Sequence, residues 1–252
     1  MSFDVAADVY DRFIGRYSVQ LSPQLADLAA VRAGQRALDV GCGPGALTAE
    51  LVTRLGSTAV AAVDPSRSFV AAARARNPGV EVLQASAEHL PFPDHAFDAA
   101  LAQLVVHFMS DPIAGLAEMR RVTRREGVVA ACVWDHASGQ SPLGLFWKAA
   151  RQLDPGVDDE SHLAGVREGH LAELFEAAGL HGIEATSLPV SLEHSTFEDW
   201  WEPFTRGVGP AGAYVARLEA QGRAELRGRC RSLLPAAPFV ITARAWAARG
   251  HA

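Results

Sequence analysis

The sequence predicts an α/β fold in which a mostly parallel sheet is covered by helices on both faces. Short apolar runs alternate with helix-length amphipathic stretches between Gln35 and Trp134, the rhythm of parallel strands joined by helical crossovers. The first run ends in Gly41-Cys42-Gly43-Pro44-Gly45, a turn that leads straight into a helix. Two further strand-like runs follow Trp134, separated by a long helical interval. Five strands plus two give a seven-stranded sheet whose last strand is antiparallel.

Residues 1–33 read as an N-terminal helical cap. Phe3, Ala6, Ala7, Tyr10, Phe13 and Ile14 recur at helical spacing, and Gly15 weakens that helix near its end. Ser22 caps a second helix, with Pro23 at its first position. Strand one is 37–40, followed by a helix over 46–55 that Gly56 closes. Strand two covers 58–63 and ends at Asp64. A helix over 66–76 stops at Asn77-Pro78-Gly79. Strands three, four and five fall at 80–83, 97–101 and 127–133, with a helix over 112–124 before the last. Helices over 142–153 and 168–178 precede strands at 182–188 and 239–248. The roughly 50 residues between those two strands far exceed the two to five or so that a hairpin needs. The excess, 190–235, reads as a helical lid inserted in a single domain whose core is 36–134.

Composition narrows the function classes. Of 252 residues 49% are hydrophobic, enough for a substantial core. The 23 basic and 29 acidic residues leave a net charge of -6, which disfavours holding a nucleic acid by bulk charge. The clusters Arg120, Arg121, Arg124, Arg125 and Arg223, Arg227, Arg229, Arg231 read as solvated helix faces. No apolar stretch reaches the length of about 18 residues that a membrane span needs. Cys42, Cys132 and Cys230 lie far apart without metal-ligand spacing, so no metal site is expected and a reducing compartment is. The opening MSFDVAADVYDRFIGRY lacks a basic segment followed by an apolar run, and a cytoplasmic location is the expectation.

A glycine turn between a strand and a helix lets backbone approach a ligand closely and aims unpaired N–H groups at it. Two ligands fit such a turn. Gly41, Gly43 and Ala46 match the permissive dinucleotide fingerprint, with Asp64 at the distance of a ribose partner. The other ligand is S-adenosylmethionine, which carries no phosphate. Asp39 separates them, because a carboxylate repels a pyrophosphate and attracts the ammonium of an amino-acid moiety.

With these residues the chain resembles the class I S-adenosylmethionine-dependent methyltransferases, of the small-molecule type that includes the ubiquinone and menaquinone C-methyltransferases. The resemblance lies in LDVGCGPGALT, AVDPS, ASAEHLPFPDHAFDAALAQLVVHFMSDP and VVAACVW. It spans 36–134 and extends weakly to YDRFIGRYS. It implies a Rossmann-like sheet and S-adenosylmethionine as cofactor. It places Asp39, Gly41, Gly43 and Gly45 at the methionine and ribose end. Asp64 accepts from both ribose hydroxyls, Pro65 and Ser66 flank the adenine, and Ala87 and Glu88 border it. Gln103 sits under the methionine. Tyr10 and Arg16 cover the cofactor, Arg16 facing its carboxylate. Ser86 stands where many relatives carry an Asp that bonds the adenine amino group.

The acceptor side is less marked. His107 is a candidate base, weighed against an ordinary histidine bonded to a neighbouring loop. Trp134-Asp135-His136 ends strand five, where open α/β sheets place ligands, and also fits a packed Trp with a capping Asp. Phe197, Trp200, Trp201 and Phe204 have the spacing of a core face or of an apolar pocket wall. Trp134, Trp147, Trp200 and Trp201 are taken as the candidate acceptor pocket. The expected activity is methyl transfer to a small, partly apolar molecule. The alternatives are an NAD(P)-dependent reductase, for which the single Lys148 and three tyrosines leave a catalytic Tyr/Lys pair hard to place, and a non-catalytic S-adenosylmethionine-binding protein.

Overall fold

The computed structural model describes residues 7–252; Phe3 and Ala6, placed by spacing on the first helix, lie outside the described residues. The chain opens as α1 (Ala7–Tyr10), a π-helical turn over Asp11–Gly15 and α2 (Arg16–Leu28), which run on without a break. The boundary expected at Ser22 and Pro23 is absent. The Ser22 hydroxyl turns back to the Ser18 carbonyl at 2.9 Å instead of capping. Pro23 sits inside α2. Burial of Tyr17, Leu21, Leu25 and Ala26 along one face outweighs the lost backbone bond, because tertiary packing routinely overrides local propensity.

The core alternates as expected: β1 (Ala37–Val40), α3 (Ala46–Leu55), β2 (Val60–Asp64), α4 (Arg67–Arg76), β3 (Glu81–Gln84), β4 (Phe97–Gln103), α5 (Pro112–Val122) and β5 (Thr123–Trp134). Then come α6 (Gly144–Leu153), α7 (His170–Ala177), β6 (His181–His194), α8 (Phe197–Trp201), α9 (Gly209–Arg217), α10 (Ala220–Leu233) and β7 (Phe239–His251). The sheet order is β3-β2-β1-β4-β5-β7-β6. The first five strands are parallel, and β7 runs antiparallel between β5 and β6. β1 and β2 are buried along their whole length, as strands covered on both faces must be.

Alternate sheet residues feed two cores. Ala37, Ala99 and Leu101 face Leu21, Leu25, Leu47 and Phe146 on one side. Leu38, Val40, Ala100 and Ala102 face Leu116, Met119 and Phe175 on the other. The direction of progression reverses between β1 and β4, which opens a crevice at the carboxyl ends of those strands.

β6 continues to His194, paired with Phe239, so the first five residues of the interval read as a lid are strand. The inserted helices pack through their aromatics. Phe204 stacks on Phe146 at 4.5 Å between centroids and meets Phe13 edge-on at 4.8 Å. Trp200 lies 4.9 Å from Phe204 and is 3% exposed. Trp200→Ala is expected to lower stability by about 3–5 kcal/mol, as loss of a buried aromatic does. Thermal denaturation with and without cofactor checks this, since a core residue shifts both midpoints alike. An unchanged midpoint would return Trp200 to a ligand-facing role.

Candidate active site

The loop after β1 owes its shape to glycine. Gly41, Gly43 and Gly45 have φ of +72°, +53° and +99°, the left-handed region that L side chains rarely adopt. A Cβ on Gly41 would collide with the Val105 side chain, whereas one on Gly43 would meet nothing within 4 Å. The backbone at Gly43 therefore lies open to the cavity. Gly45 differs from expectation. It caps α3, a Cβ there would strike the Asn77 amide, and it does not line the cavity.

Two N–H groups, of Gly41 and Cys42, donate to the Val63 carbonyl at 2.8 and 2.9 Å. Gly43 N–H donates to Asp64 Oδ2, and Ser66 N–H to Asp64 Oδ1, both at 2.8 Å. Burial pushes the Asp64 carboxyl upward, and those two backbone donors oppose it. Asp39 sits behind the loop, not on the cavity wall, and is 1% exposed. Its Oδ2 accepts the Thr48 hydroxyl at 2.6 Å, and its buried Oδ1 has no partner. Burial raises its carboxyl to about 7, against the Thr48 hydrogen bond and with some help from the Asp64 charge. Cys42, buried in the same loop, has its thiol pushed far up by burial and by the Asp39 and Asp64 charges, the opposite of an activated nucleophile.

A cavity of about 580 Å³ runs from this loop to the inserted helices, within the range of small-molecule sites. Of the residues anticipated for a cofactor, Tyr10, Gly41, Gly43, Asp64, Pro65, Ser66, Ser86, Ala87, Glu88 and Gln103 line it. Tyr10 reaches the wall from the start of the π-helical turn, edge-on to Phe69 at 5.4 Å, and burial pushes its phenol up to about 12. Gln103 donates to the Ser18 carbonyl at 3.1 Å while its buried Oε1 is unpartnered. Glu88 accepts the Ser110 N–H at 2.8 Å and the Ser86 hydroxyl, so it pins the segment before α5.

These features fit S-adenosylmethionine. Gln103, on the cavity wall, carries a buried acceptor without a donor, and buried polar atoms are normally satisfied. The glycine backbone leaves room that a Cβ would reduce.

Besides Asp39 and Gly45, four anticipated residues lie off the cavity. Arg16 turns its guanidinium away, onto Asp199 at 3.0 Å and the Glu193 carbonyl at 3.2 Å. Trp200 and Trp201 are buried among the helices between β6 and β7 and lie off the cavity, because their neighbours Phe197 and Phe204 complete an aromatic cluster. Trp147 also lies off the wall, its indole N–H donating to Glu160 at 2.9 Å. Trp134 does line the cavity, with an unpartnered indole N–H.

The far end holds His107, as read from sequence, together with His136 and Glu160. All three are buried. Sequence gave no signal for Glu160, which lies in a polar, turn-rich stretch indistinguishable from surface. Burial holds the His107 imidazole well below its ordinary value, with His136 adding to the effect. Burial pushes His136 down to about 4 against the pull of Asp159 and Asp135. Burial raises Glu160 to about 7 despite its bond to Trp147. At 3.9 Å the His136–Glu160 pair is accordingly not an ion pair, since the imidazole is neutral. Among the described residues no cluster could hold a metal ion and no helix is long and apolar enough to cross a membrane.

Comparison with known proteins identifies the family. The family described as "Methyltransferase domain" matches residues 38–131. An uncharacterized methyltransferase of Mycobacterium tuberculosis is 36% identical over 194 residues, covering 74% of this chain and 71% of that one. A malonyl-[acyl-carrier protein] O-methyltransferase of Pseudescherichia vulneris is 33% identical over 193 residues, with the same coverage. The fold is shared with the YcgJ protein of Bacillus subtilis, with a TM-score of 0.58, 20% identity and coverage of 94% and 98%. The nicotinamide alternative is thereby set aside. The chain belongs to the S-adenosylmethionine-dependent methyltransferases.

Proposed function

We propose that this enzyme moves the methyl group of S-adenosylmethionine to a small, partly apolar acceptor bound beneath the inserted helices. The observation that carries this reading is one continuous cavity joining Gly43 and Asp64 to Val208 and Ala211. Asp64 binds the ribose hydroxyls with the lone pairs that its two backbone donors leave free. Ser86, Ala87 and Glu88 border the adenine on one side, Pro65 and Ser66 on the other. Gln103 offers Oε1 to the ammonium of the methionine end, and Asp39 sets a negative charge behind the glycine loop.

A sulfonium methyl is already activated for in-line displacement, so the residues contribute alignment and exclusion of water. Phe13, Trp134, Leu143 and Pro210 supply an apolar wall for the acceptor. The O-methyltransferase activity named for one relative supports oxygen as the accepting atom.

Asp64→Ala is expected to weaken S-adenosylmethionine binding about ten- to a hundredfold, since a charged acceptor on a diol contributes about 1.5–3 kcal/mol. Isothermal titration calorimetry measures it, and an unchanged dissociation constant would remove Asp64 from the site.

Asp39 adds a pH signature. In the free protein its carboxyl titrates at about 7, and an ammonium ligand favours the ionised form. Below that pH, binding must expel the Asp39 proton, so affinity rises with pH and levels off above it. The cofactor's own α-amino group, losing its proton near about 8, sets a falling limb at higher pH. Asp39→Asn is expected to bind more weakly and to lose the rising limb alone. A rising limb that survives in the variant would assign it to another group.

A further inference from the structure

The acceptor end of the cavity holds a carboxyl with no task in the cofactor reading. Glu160 opens a short turn between α6 and α7, lines the cavity and is 3% exposed. Its Oε2 accepts the Trp147 indole N–H at 2.9 Å. Its Oε1 accepts no hydrogen bond among the described residues, and His136 Nε2 stands 3.9 Å from it, past hydrogen-bond reach. Both nitrogens of His136 and Nδ1 of His107 are enclosed by protein, whereas Glu160 Oε1 is not. Of these polar atoms it is the one that a bound molecule can meet.

Among the described residues no cation answers this oxygen. Arg151 is bound to Asp159, Arg244 to Asp135 and Arg16 to Asp199. Of the arginines and the lysine, Arg67 alone lines the cavity among the described residues, and it opens α4 at the adenine end. Burial keeps the imidazoles of His107 and His136 neutral. A buried carboxyl in such a place either keeps its proton or meets a cation from outside. The charged form repels an anionic group. A neutral hydroxyl gives it a weaker bond than an ammonium does, since hydrogen bonds between ionised groups are roughly twice as strong. Phe13, Phe108 and Trp134 line the same cavity and add aromatic rings, whose faces attract cations.

We infer that the methyl acceptor carries a protonated amine, which Glu160 holds as an ion pair, and that the accepting atom lies elsewhere on an apolar or aromatic body. This rests on the methyl-transfer reading above. An ammonium has no lone pair with which to attack a methyl carbon, so the group that Glu160 binds is a handle and not the nucleophile. An amine that arrives neutral takes the Glu160 proton, and one that arrives charged sends that proton to solvent. No bond from carbon to the carboxyl forms or breaks. Glu160 sets which acceptors enter and how they lie, and Trp147 fixes its Oε2 so that Oε1 faces the acceptor.

The test uses the full chain saturated with S-adenosylhomocysteine, which has no methyl to give. Three probes share one phenol body: tyramine adds an ammonium, tyrosol a hydroxyl and para-hydroxyphenylpropionate a carboxylate. Burial pushes Glu160 up to about 7, and an alkyl ammonium loses its proton near about 10. Between those values, calorimetry is expected to find tyramine at least about tenfold tighter than tyrosol, with the propionate weakest. In Glu160→Gln, which keeps an acceptor for Trp147, tyramine should fall to the affinity of tyrosol, while tyrosol changes by less than about twofold. In the wild-type chain the preference for tyramine should fade as pH falls below about 7, because binding must then expel the Glu160 proton. The groups around Glu160 keep their charge across that range. His136 is neutral above about 4, and burial holds His107 well below its ordinary value. Against burial, Ser138 and Arg244 hold Asp135, and Ser161 and Arg151 hold Asp159, below the usual carboxylate range. Melting temperature and S-adenosylhomocysteine affinity check that the variant folds, and the wild-type preference with its pH dependence tests the inference without it. Tyrosol or the propionate bound as tightly as tyramine, no probe bound, or a preference that survives in Glu160→Gln would overturn the inference. Lost S-adenosylhomocysteine affinity in that variant would also overturn it, by assigning Glu160 to the cofactor. All of these leave the methyl-transfer reading standing. Failure of the wild-type chain to bind S-adenosylhomocysteine would instead undo that reading.

Discussion

Asp64 ties the loop after β1 to the start of α4. One carboxylate oxygen accepts the Gly43 N–H and the other the Ser66 N–H, both at 2.8 Å. The Val63 carbonyl takes two more N–H groups of the same loop. A negative charge is tolerated here because the carboxylate stands at the end of a buried strand, beside a helix N-terminus that favours it. The same bonds hold Gly43 where a Cβ would meet only open space. Without them the loop would keep its glycines but lose its register against β2, and the ribose end of the cavity would lose its shape.

The roof over that loop is built from both ends of the chain. Gln103, at the end of β4, holds α2 by its Ser18 carbonyl. The π-helical turn just before α2 brings Tyr10, Phe13 and Ile14 onto the cavity, and such turns recur at functional sites. Phe13 packs on Phe204 of the inserted segment. Arg16 and Tyr17 reach the far side through Asp199 and His194, with Tyr17 Oη 3.2 Å from His194 Nε2 and His194 Nδ1 3.0 Å from Asp199. Cap and insertion are therefore one packed body. The Arg16 that resemblance assigned to the cofactor carboxylate is occupied with holding that body together.

The cofactor half was legible in sequence because its residues sit within short motifs whose chemistry is local. A left-handed turn demands glycine, and an acid at each of two strand ends is read directly from the apolar runs before it. Even there, Gly45 and Asp39 show the limit. Spacing told that they belong to the loop but not that one caps a helix and the other lies behind the wall. Pro23 misled for a related reason. Local propensity marks it as a helix start, and only the buried face of α2 overrides that. For Trp200 and Trp201, helical spacing is the same whether a face meets a ligand or Phe204. Burial decides between them, and burial is not written in spacing.

Glu160 marks the deeper limit. The acceptor end gathers single side chains from the segments after β4, β5 and α6, and from the residues leading into α9, so no motif contains two of them except the short run holding Trp134 and His136. Each looks ordinary in its own stretch. What distinguishes them is that three imidazole nitrogens and an indole N–H are buried together without partners, a destabilising arrangement by itself. The aromatic packing of Phe13, Phe146 and Phe204 supplies apolar burial that these polar atoms do not. Cofactor affinity and acceptor chemistry thus draw on different parts of the fold. The glycine loop and Asp64 depend on strand ends that any sequence of this topology must provide, whereas the acceptor wall depends on which helices are inserted between β6 and β7.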